Sequence, residues 1–360
     1  MLPSMAKPSL KLELRPKDVI DGRYKVIKKL GEGGCGSVYR CHKLSDPEQL
    51  VAVKVLESVH DMPRFIRERK VLEGVEHQHV VGLESHGTHE RYPFLALEYM
   101  AGGSLRDVLD ARKTLSTAEA AWIGIMTVRG LRAAKTVHRD LKPENLLLTK
   151  DANGKVSLIP GKTKGASILK VADFGLAKSV DPKTIALTNT GHIMGTPLYM
   201  SPEQCRCTRD VQAQTDMYSL GIILFEMVTG HTPFDADSPY DLMAKHCNER
   251  PVFPRMDRQL QSVIERCLAK QAKDRYAKLK HLESDLCVIA GIAKPAEDEE
   301  ASGTRPGTAR VASWLLIGVG MLAFIALSYV LRDRLIDAAK GWMGDEPAKP
   351  VRPAANPALR

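Results

Sequence analysis

The hydrophobic pattern of this chain changes its period near residue 100, and that change restricts the folds open to it. From Tyr24 to Met100 the apolar residues fall in short runs broken by turns. Val26-Ile27 leads into a glycine cluster, Val51 to Val55 and Phe94 to Tyr99 read as strands, and one helical stretch lies near Phe65 to Gly74. From Leu105 onward apolar residues recur at helical spacing, as in Tyr218 to Val228 and Leu260 to Leu268. Strands gathered first and helices afterward predict an α+β fold in two lobes, a small β-rich one over about 21–100 and a larger helical one over about 101–290. There is no internal repeat.

Outside this body the composition changes. Residues 1–20, with Pro3, Pro8 and Pro16, lack the apolar run of an export signal and read as a flexible leader. Residues 291–310 carry the acidic run Glu297 to Glu300 among Pro, Gly, Ser and Thr, and read as a linker. Val311 to Leu331 follows without a charged residue, matching the ~20 residues that a helix needs to cross a bilayer core. Trp314 and Tyr329 stand near its ends, where aromatic side chains favour the interface. A buried core helix is the competing reading, but no later domain is there to cover it. The expectation is one transmembrane helix, with 332–360 as a short tail whose stretch Leu331 to Met343 is amphipathic.

The net charge of +9 rests on scattered basic residues with no run resembling a nucleic-acid arm, so no nucleic acid is expected as a partner. Seven cysteines, an odd number spread from Cys35 to Cys287, do not form a disulfide framework. Cys205 and Cys207 have no matching Cys/His pair for a structural zinc site, and reduced thiols are the simpler reading.

Four motifs carry chemistry. In Gly31-Glu-Gly-Gly-Cys-Gly36-Ser-Val38 the glycines at 31, 33 and 36 let a backbone turn approach phosphate oxygens. A dinucleotide fingerprint would continue as helix; here the chain continues as strand toward Val51-Ala-Val-Lys54, which favours a flap over a nucleotide. Lys54 at this spacing suits a phosphate ligand rather than a solvated face. It needs an anionic partner, for which Glu68 is the first choice and Glu73 and Glu57 are competitors.

The third motif, His138-Arg-Asp-Leu-Lys-Pro-Glu-Asn145, is the most specific. Asp140 can accept or orient a hydroxyl proton, Lys142 can neutralise charge on a transferred phosphoryl group, and Asn145 offers oxygen to a hard cation such as Mg²⁺. Asp173-Phe-Gly175 follows the strand Leu169 to Ala172 and supplies a second, carboxylate metal ligand.

With these motifs in this order, and Ser-Pro-Glu203 after them, the chain from about Tyr24 to about Ile289 resembles the eukaryotic-type protein kinases. The resemblance implies a bilobal fold and ATP beneath the glycine loop, with Leu30, Val38 and Ala52 around the base. It makes Leu97 the gatekeeper and Glu98 to Met100 the adenine-binding hinge. Lys54 would bind the α and β phosphates and pair with Glu68; Asp140 would be the catalytic base, with Asn145 and Asp173 holding Mg²⁺. Lys142 and Gly195-Thr196-Pro-Leu-Tyr199 resemble the serine/threonine branch, with protein substrates and Thr196 at the reaction centre. Arg139 before the catalytic aspartate implies activation by phosphorylation of the following loop, where Thr190 is the first choice, Thr188 the second and Thr184 also present. Glu203 would pair with Arg275 and Asp216 would anchor the catalytic loop.

Two departures stand out. The approach Arg129 to Val137 is short, and residues 153–166 form an insertion that reads as an exposed hairpin extension. The short approach motivates a second reading, a nucleotide-binding scaffold without catalysis; a small-molecule kinase is a weaker third. With the apolar stretch included, the whole resembles bacterial receptor-type serine/threonine kinases: single-pass in the cell membrane, catalytic domain cytoplasmic, a second copy of the chain as a candidate partner. The basic residues flanking the span, Arg305 and Arg310 before it and Arg332, Arg334 and Lys340 after it, point the other way, but a folded nucleotide-using domain belongs in the cytoplasm.

Overall fold

The computed structural model describes residues 12–33, 36–57, 61–159, 166–174, 197–208 and 211–293. All lie in the first of the two compact units into which the chain divides, Met1–Pro295 and Ala296–Arg360. The transmembrane stretch Val311 to Leu331, most of the linker and the tail 332–360 fall outside the described residues. Among the described residues no helix is long and apolar enough to cross a membrane.

Six strands make the small lobe: β1 (Val19–Ile20), β2 (Tyr24–Gly33), β3 (Gly36–Lys43), β4 (Asp46–Leu56), β5 (Leu83–His89) and β6 (Tyr92–Glu98). They form one antiparallel sheet in the order β1-β2-β3-β4-β6-β5. The period-two pattern sorts its faces. Tyr39, Cys41, Val51, Val53 and Val55 join Ile20, Tyr24, Val26, Phe94 and Ala96 in one core. On the other face the register sets Val38 opposite Lys54, Lys54 opposite Leu95, and Ala52 opposite Leu97. Helix α1 (Met62–Glu73), with Pro63 in its first turn, packs Phe65 against Leu56 and Leu95. The leader expected through residue 20 is thus ordered at its end: Val19–Ile20 joins the sheet, and Leu12 and Leu14 pack on its core.

The large lobe is helical, as its periodicity predicts. Helices α2 (Leu105–Arg112) and α3 (Thr117–Ala134) each begin with a reciprocal cap, Ser104 with Asp107 and Ser116 with Glu119. After the short α4 (Pro202–Cys205) comes α5 (Ala213–Thr229), buried continuously from Thr215 to Met227. A helix apolar on every side belongs at the centre of a lobe. Helices α6 (Pro239–Asn248), α7 (Arg258–Cys267) and α8 (Leu279–Ala290) complete it. Leu131, Phe225, Ile264 and Leu282 mark the shared core. Between α3 and α4 a two-stranded ladder pairs β7 (Leu146–Leu148) with β8 (Leu169–Val171). The insertion leaves this ladder as a hairpin stem, with Ser167 N–H donating to the Ser157 carbonyl at 2.9 Å. Residues 160–165 of the insertion lie outside the described residues.

Candidate active site

The flap forms because β2 and β3 pair as far as Gly33 and Gly36; residues 34 and 35 lie outside the described residues. Gly36 has φ +139°, and a Cβ there would lie 1.9 Å from the Val55 carbonyl oxygen, so the flap closes onto β4 only with glycine. Leu30 sits at an irregularity of the β2–β3 register between Lys29 and Gly31 and is 41% exposed.

Beneath the flap, Lys54 is held by two carboxylates. Its Nζ donates to Glu68 Oε2 at 2.8 Å and to Asp173 Oδ1 at 2.7 Å. This joins the strand motif, α1 and the Asp-Phe-Gly segment, and it selects Glu68 among the three candidates. Glu73 instead lies by Arg69 and His86, and Glu57 Oε1 is buried without a hydrogen bond. Burial works against the Lys54 ammonium, but Asp173 and Glu68 outweigh it and hold its pKa above the ordinary value. Asp173 is likewise opposed by burial, yet Lys54, then His138 and Lys142, keep its carboxyl below the usual range. Glu68 is pushed up, by burial first and by the Asp173 charge, against the pull of Lys54.

The catalytic loop is fixed from below. The carboxylate of Asp216 in α5 accepts the backbone N–H groups of His138 and Arg139, each at 2.8 Å. His138 Nε2 donates to the Ala172 carbonyl at 2.8 Å, and its Nδ1 accepts the Asp140 N–H at 3.3 Å, so one ring tautomer satisfies both contacts. Phe174 packs against the same imidazole with ring centroids 5.0 Å apart and planes tilted by 59°. The short approach is therefore closed firmly: α3 ends at Lys135 in the left-handed conformation, and His138 is fully buried three residues later. Arg139 and Asp173 also have left-handed backbones, each with φ +67°. Such conformations persist where surrounding bonds dictate them. Arg139 has its N–H on Asp216 and its carbonyl on the Gln204 amide at 2.6 Å.

Asp140 points its half-exposed carboxylate into the cleft, with Lys142 Nζ on Oδ2 at 2.9 Å. Asn145 spends its amide N–H on the Asp140 carbonyl at 2.8 Å, which leaves its side-chain oxygen as the group able to meet a cation. Because Leu146 pairs with Val171, and Ala172 N–H donates to the Asn145 carbonyl at 2.9 Å, Asn145 and Asp173 leave the ladder side by side. These are oxygen donors only, as a hard divalent cation prefers. One carboxylate and one amide leave most of a shell of about six to water or to the oxygens of a bound ligand.

At the hinge, Glu98 turns its carboxylate away from the sheet, onto Lys170 Nζ at 2.7 Å and the Gly82 N–H at 3.2 Å. Its own N–H is bonded to the Gly82 carbonyl. Met100 is buried. Behind Glu98 lies a polar cavity of about 1020 Å³ between α1 and β5, separate from Asp140. Thr196, Thr188 and Thr190 lie outside the described residues.

Sequence reading missed several contacts of this site. Arg106 donates to Glu226 at 2.7 Å, and Tyr199 donates to the same carboxylate at 2.7 Å, tying α2, α5 and the segment after Thr196 together. No local pattern announces a pair 120 residues apart. The bracing pair was legible: Arg275 meets Glu203 with both guanidinium N–H₂ groups, at 2.7 and 2.9 Å.

A flap, a clamped ammonium and two neighbouring oxygen donors lie across the cleft from the Asp140 carboxylate with its Lys142 partner. Residues 24–286 match the family model described as the protein kinase domain, and the chain belongs to that family. It is 34% identical over 303 residues to a protein of Clostridium perfringens named a probable serine/threonine-protein kinase, covering 78% of this chain and 41% of that one. It is 30% identical over 290 residues to the probable serine/threonine-protein kinase PknB of Lactococcus lactis, covering 77% and 43%. With serine/threonine-protein kinase PknL of Mycobacterium tuberculosis it shares 32% over 287 residues, covering 76% and 67%. The chain thus spans less than half the length of the first two relatives.

Proposed function

We propose that this protein transfers the γ-phosphoryl group of ATP to serine and threonine hydroxyls of proteins. The observation that carries this reading is the clamp of Lys54 between Glu68 and Asp173, which sets the phosphate-binding cation and the metal-binding carboxylate in one place. The adenine would meet the main chain of the hinge, since the Glu98 side chain is engaged behind it. Asn145 and Asp173 would hold Mg²⁺, whose charge would neutralise the β and γ phosphates. Asp140 orients the substrate hydroxyl and takes its proton as the new O–P bond forms and the bond to the departing ADP breaks; Lys142 offsets charge on the phosphoryl oxygens.

The finer reading adds autophosphorylation at Thr190 or Thr188, and anchorage in a membrane by Val311 to Leu331 with the catalytic domain cytoplasmic. The names of the relatives support the substrate class, and the uncharged stretch supports the anchor. The test compares full-length wild type with Asp140→Asn, using labelled ATP and Mg²⁺ and mapping the labelled residues. Label on Ser/Thr that disappears in the variant supports the proposal; equal labelling of both overturns it. A chain ending at residue 293 should leave the membrane fraction in which the full chain sediments.

A further inference from the structure

The cavity behind Glu98, about 1020 Å³, lies apart from the reaction centre at Asp140. Ligand pockets run to about 300–1,000 Å³, so it has room for an organic molecule. Its walls come from three elements that lead to the Lys54 site: the end of α1, one turn beyond Glu68; the hinge residue Glu98; and Lys170, three residues before Asp173. Leu72 and Val80, both buried, and the half-buried Leu83 give it an apolar floor.

Around that floor the charges are unbalanced. Four carboxylates line the cavity, those of Glu73, Glu76, Glu84 and Glu98, against the single ammonium of Lys170. Glu84 is occupied by Lys43 and Gln49. The other three keep acceptor capacity. Both hydrogen bonds to the Glu98 side chain, from Lys170 Nζ at 2.7 Å and the Gly82 N–H at 3.2 Å, end on Oε2. Both contacts of Glu73, with His86 at 3.1 Å and Arg69 at 3.5 Å, end on Oε1. Among the described residues no hydrogen bond reaches Glu98 Oε1, Glu73 Oε2 or either oxygen of Glu76. His77, also in the wall, adds no charge, since burial first and then the Arg129 and Lys170 charges lower its pKa.

We infer that this cavity binds a linear aliphatic polyamine, with its ammonium groups on Glu98, Glu73 and Glu76 and its methylenes over Leu72, Val80 and Leu83. A metal ion would leave most of the volume empty, and no group of three ligating side chains is present among the described residues. An anion would meet a carboxylate majority. A compact cation with one charge reaches one acceptor but not the others, because they stand at the end of α1, on the loop after it and on the hinge. Amines separated by methylenes match both the spread of the acceptors and the apolar surface between them. Each ion pair is partly exposed and individually weak, so affinity comes from their number.

The experiment titrates the full-length protein with spermidine by calorimetry at about 0.15 M salt, which screens non-specific attraction. It is read without ATP, so its outcome is independent of the proposed reaction. Wild type should bind spermidine saturably, and butylamine, with one charge, about 10-fold or more weakly. Glu76→Gln, at an exposed position, should weaken spermidine binding about 2–5-fold and leave the fold intact. Glu73→Gln, Glu76→Gln and Glu98→Gln combined should weaken it about 10-fold or more. Glu48→Gln and Glu90→Gln, exposed and outside the cavity, and Asp140→Asn in the catalytic cleft should bind as wild type does. The inference is wrong if wild type shows no saturable binding or binds butylamine equally well. It is also wrong if the Glu48 and Glu90 variants lose as much affinity as the triple variant, or if Asp140→Asn abolishes binding that the triple variant keeps.

Discussion

Asp216 holds His138 by its backbone rather than by its imidazole: one carboxylate oxygen accepts the His138 N–H and the other accepts the N–H of Arg139. A fully buried carboxylate is costly unless its lone pairs are used, and here two successive amides use them. The position of Asp140 is thus set from the centre of the large lobe, through main-chain bonds.

Asp216→Asn tests that relationship. An asparagine can accept one of the two N–H groups but turns an N–H₂ toward the other, at a cost of about 1–3 kcal/mol. The variant should melt at a lower temperature and lose turnover more than ATP affinity. Unchanged turnover with weakened ATP binding would contradict the role given to Asp216.

Lys54→Met leaves Glu68 and Asp173 facing each other without their cation. Phosphoryl transfer should fall by about 100-fold or more at saturating ATP, the loss typical of one charge-stabilising donor. Glu68→Gln keeps an acceptor for Lys54 and should fall less; steady-state rates of the two variants decide the order.

The Glu203–Arg275 pair predicts a stability effect without a reacting group. The Arg275 side chain is fully buried, and Glu203 also accepts the Thr215 hydroxyl at 2.7 Å. Arg275→Met leaves that carboxylate without its cation and should cost about 3–5 kcal/mol. Arg275→Lys should not restore it, since one ammonium cannot reproduce the two-pronged contact. Denaturant unfolding of both, and of Arg275→Met combined with Glu203→Gln, should show the double variant less damaged than the sum of the singles.

His246 predicts an acid dependence. Burial first, then the Lys270 charge, lower its pKa from 6.5 to about 4, against the Pro197 and Leu198 backbone contacts. The unfolded chain therefore takes up a proton that the folded chain refuses. The stabilisation is complete above about pH 6.5 and is lost as pH falls through about 4, up to roughly 3 kcal/mol in all. Urea unfolding of wild type and His246→Gln at several pH values should give a shallower acid slope for the variant; parallel slopes would refute the assignment.

Much of this was legible before the structure, for physical reasons. The change of period near residue 100 separated the lobes because strands and helices bury different repeats, and Lys54, Asp140, Asn145 and Asp173 stood out because their motifs follow one another as they do in the protein kinase family. In the sequence Glu68 was the first choice with Glu57 and Glu73 left open, and the geometry now supplies the reason: Glu68 projects from α1 onto Lys54. Contacts such as Arg106 with Glu226, or Glu98 with Lys170, were invisible because long-range side-chain pairs leave no local pattern. The role of His138 was hidden differently, since its partner is a carbonyl and carbonyls have no letter in a sequence.

That last point reaches Ala172. Its carbonyl is taken by His138 and its N–H by Asn145, so both polar atoms of a methyl-bearing residue stitch the Asp173 strand to the loop of Asp140. Side-chain scanning would pass over this seam. Replacing the Ala172 amide with an ester keeps every side chain and removes one stitch, and it should uncouple the two aspartates although no residue has changed its name.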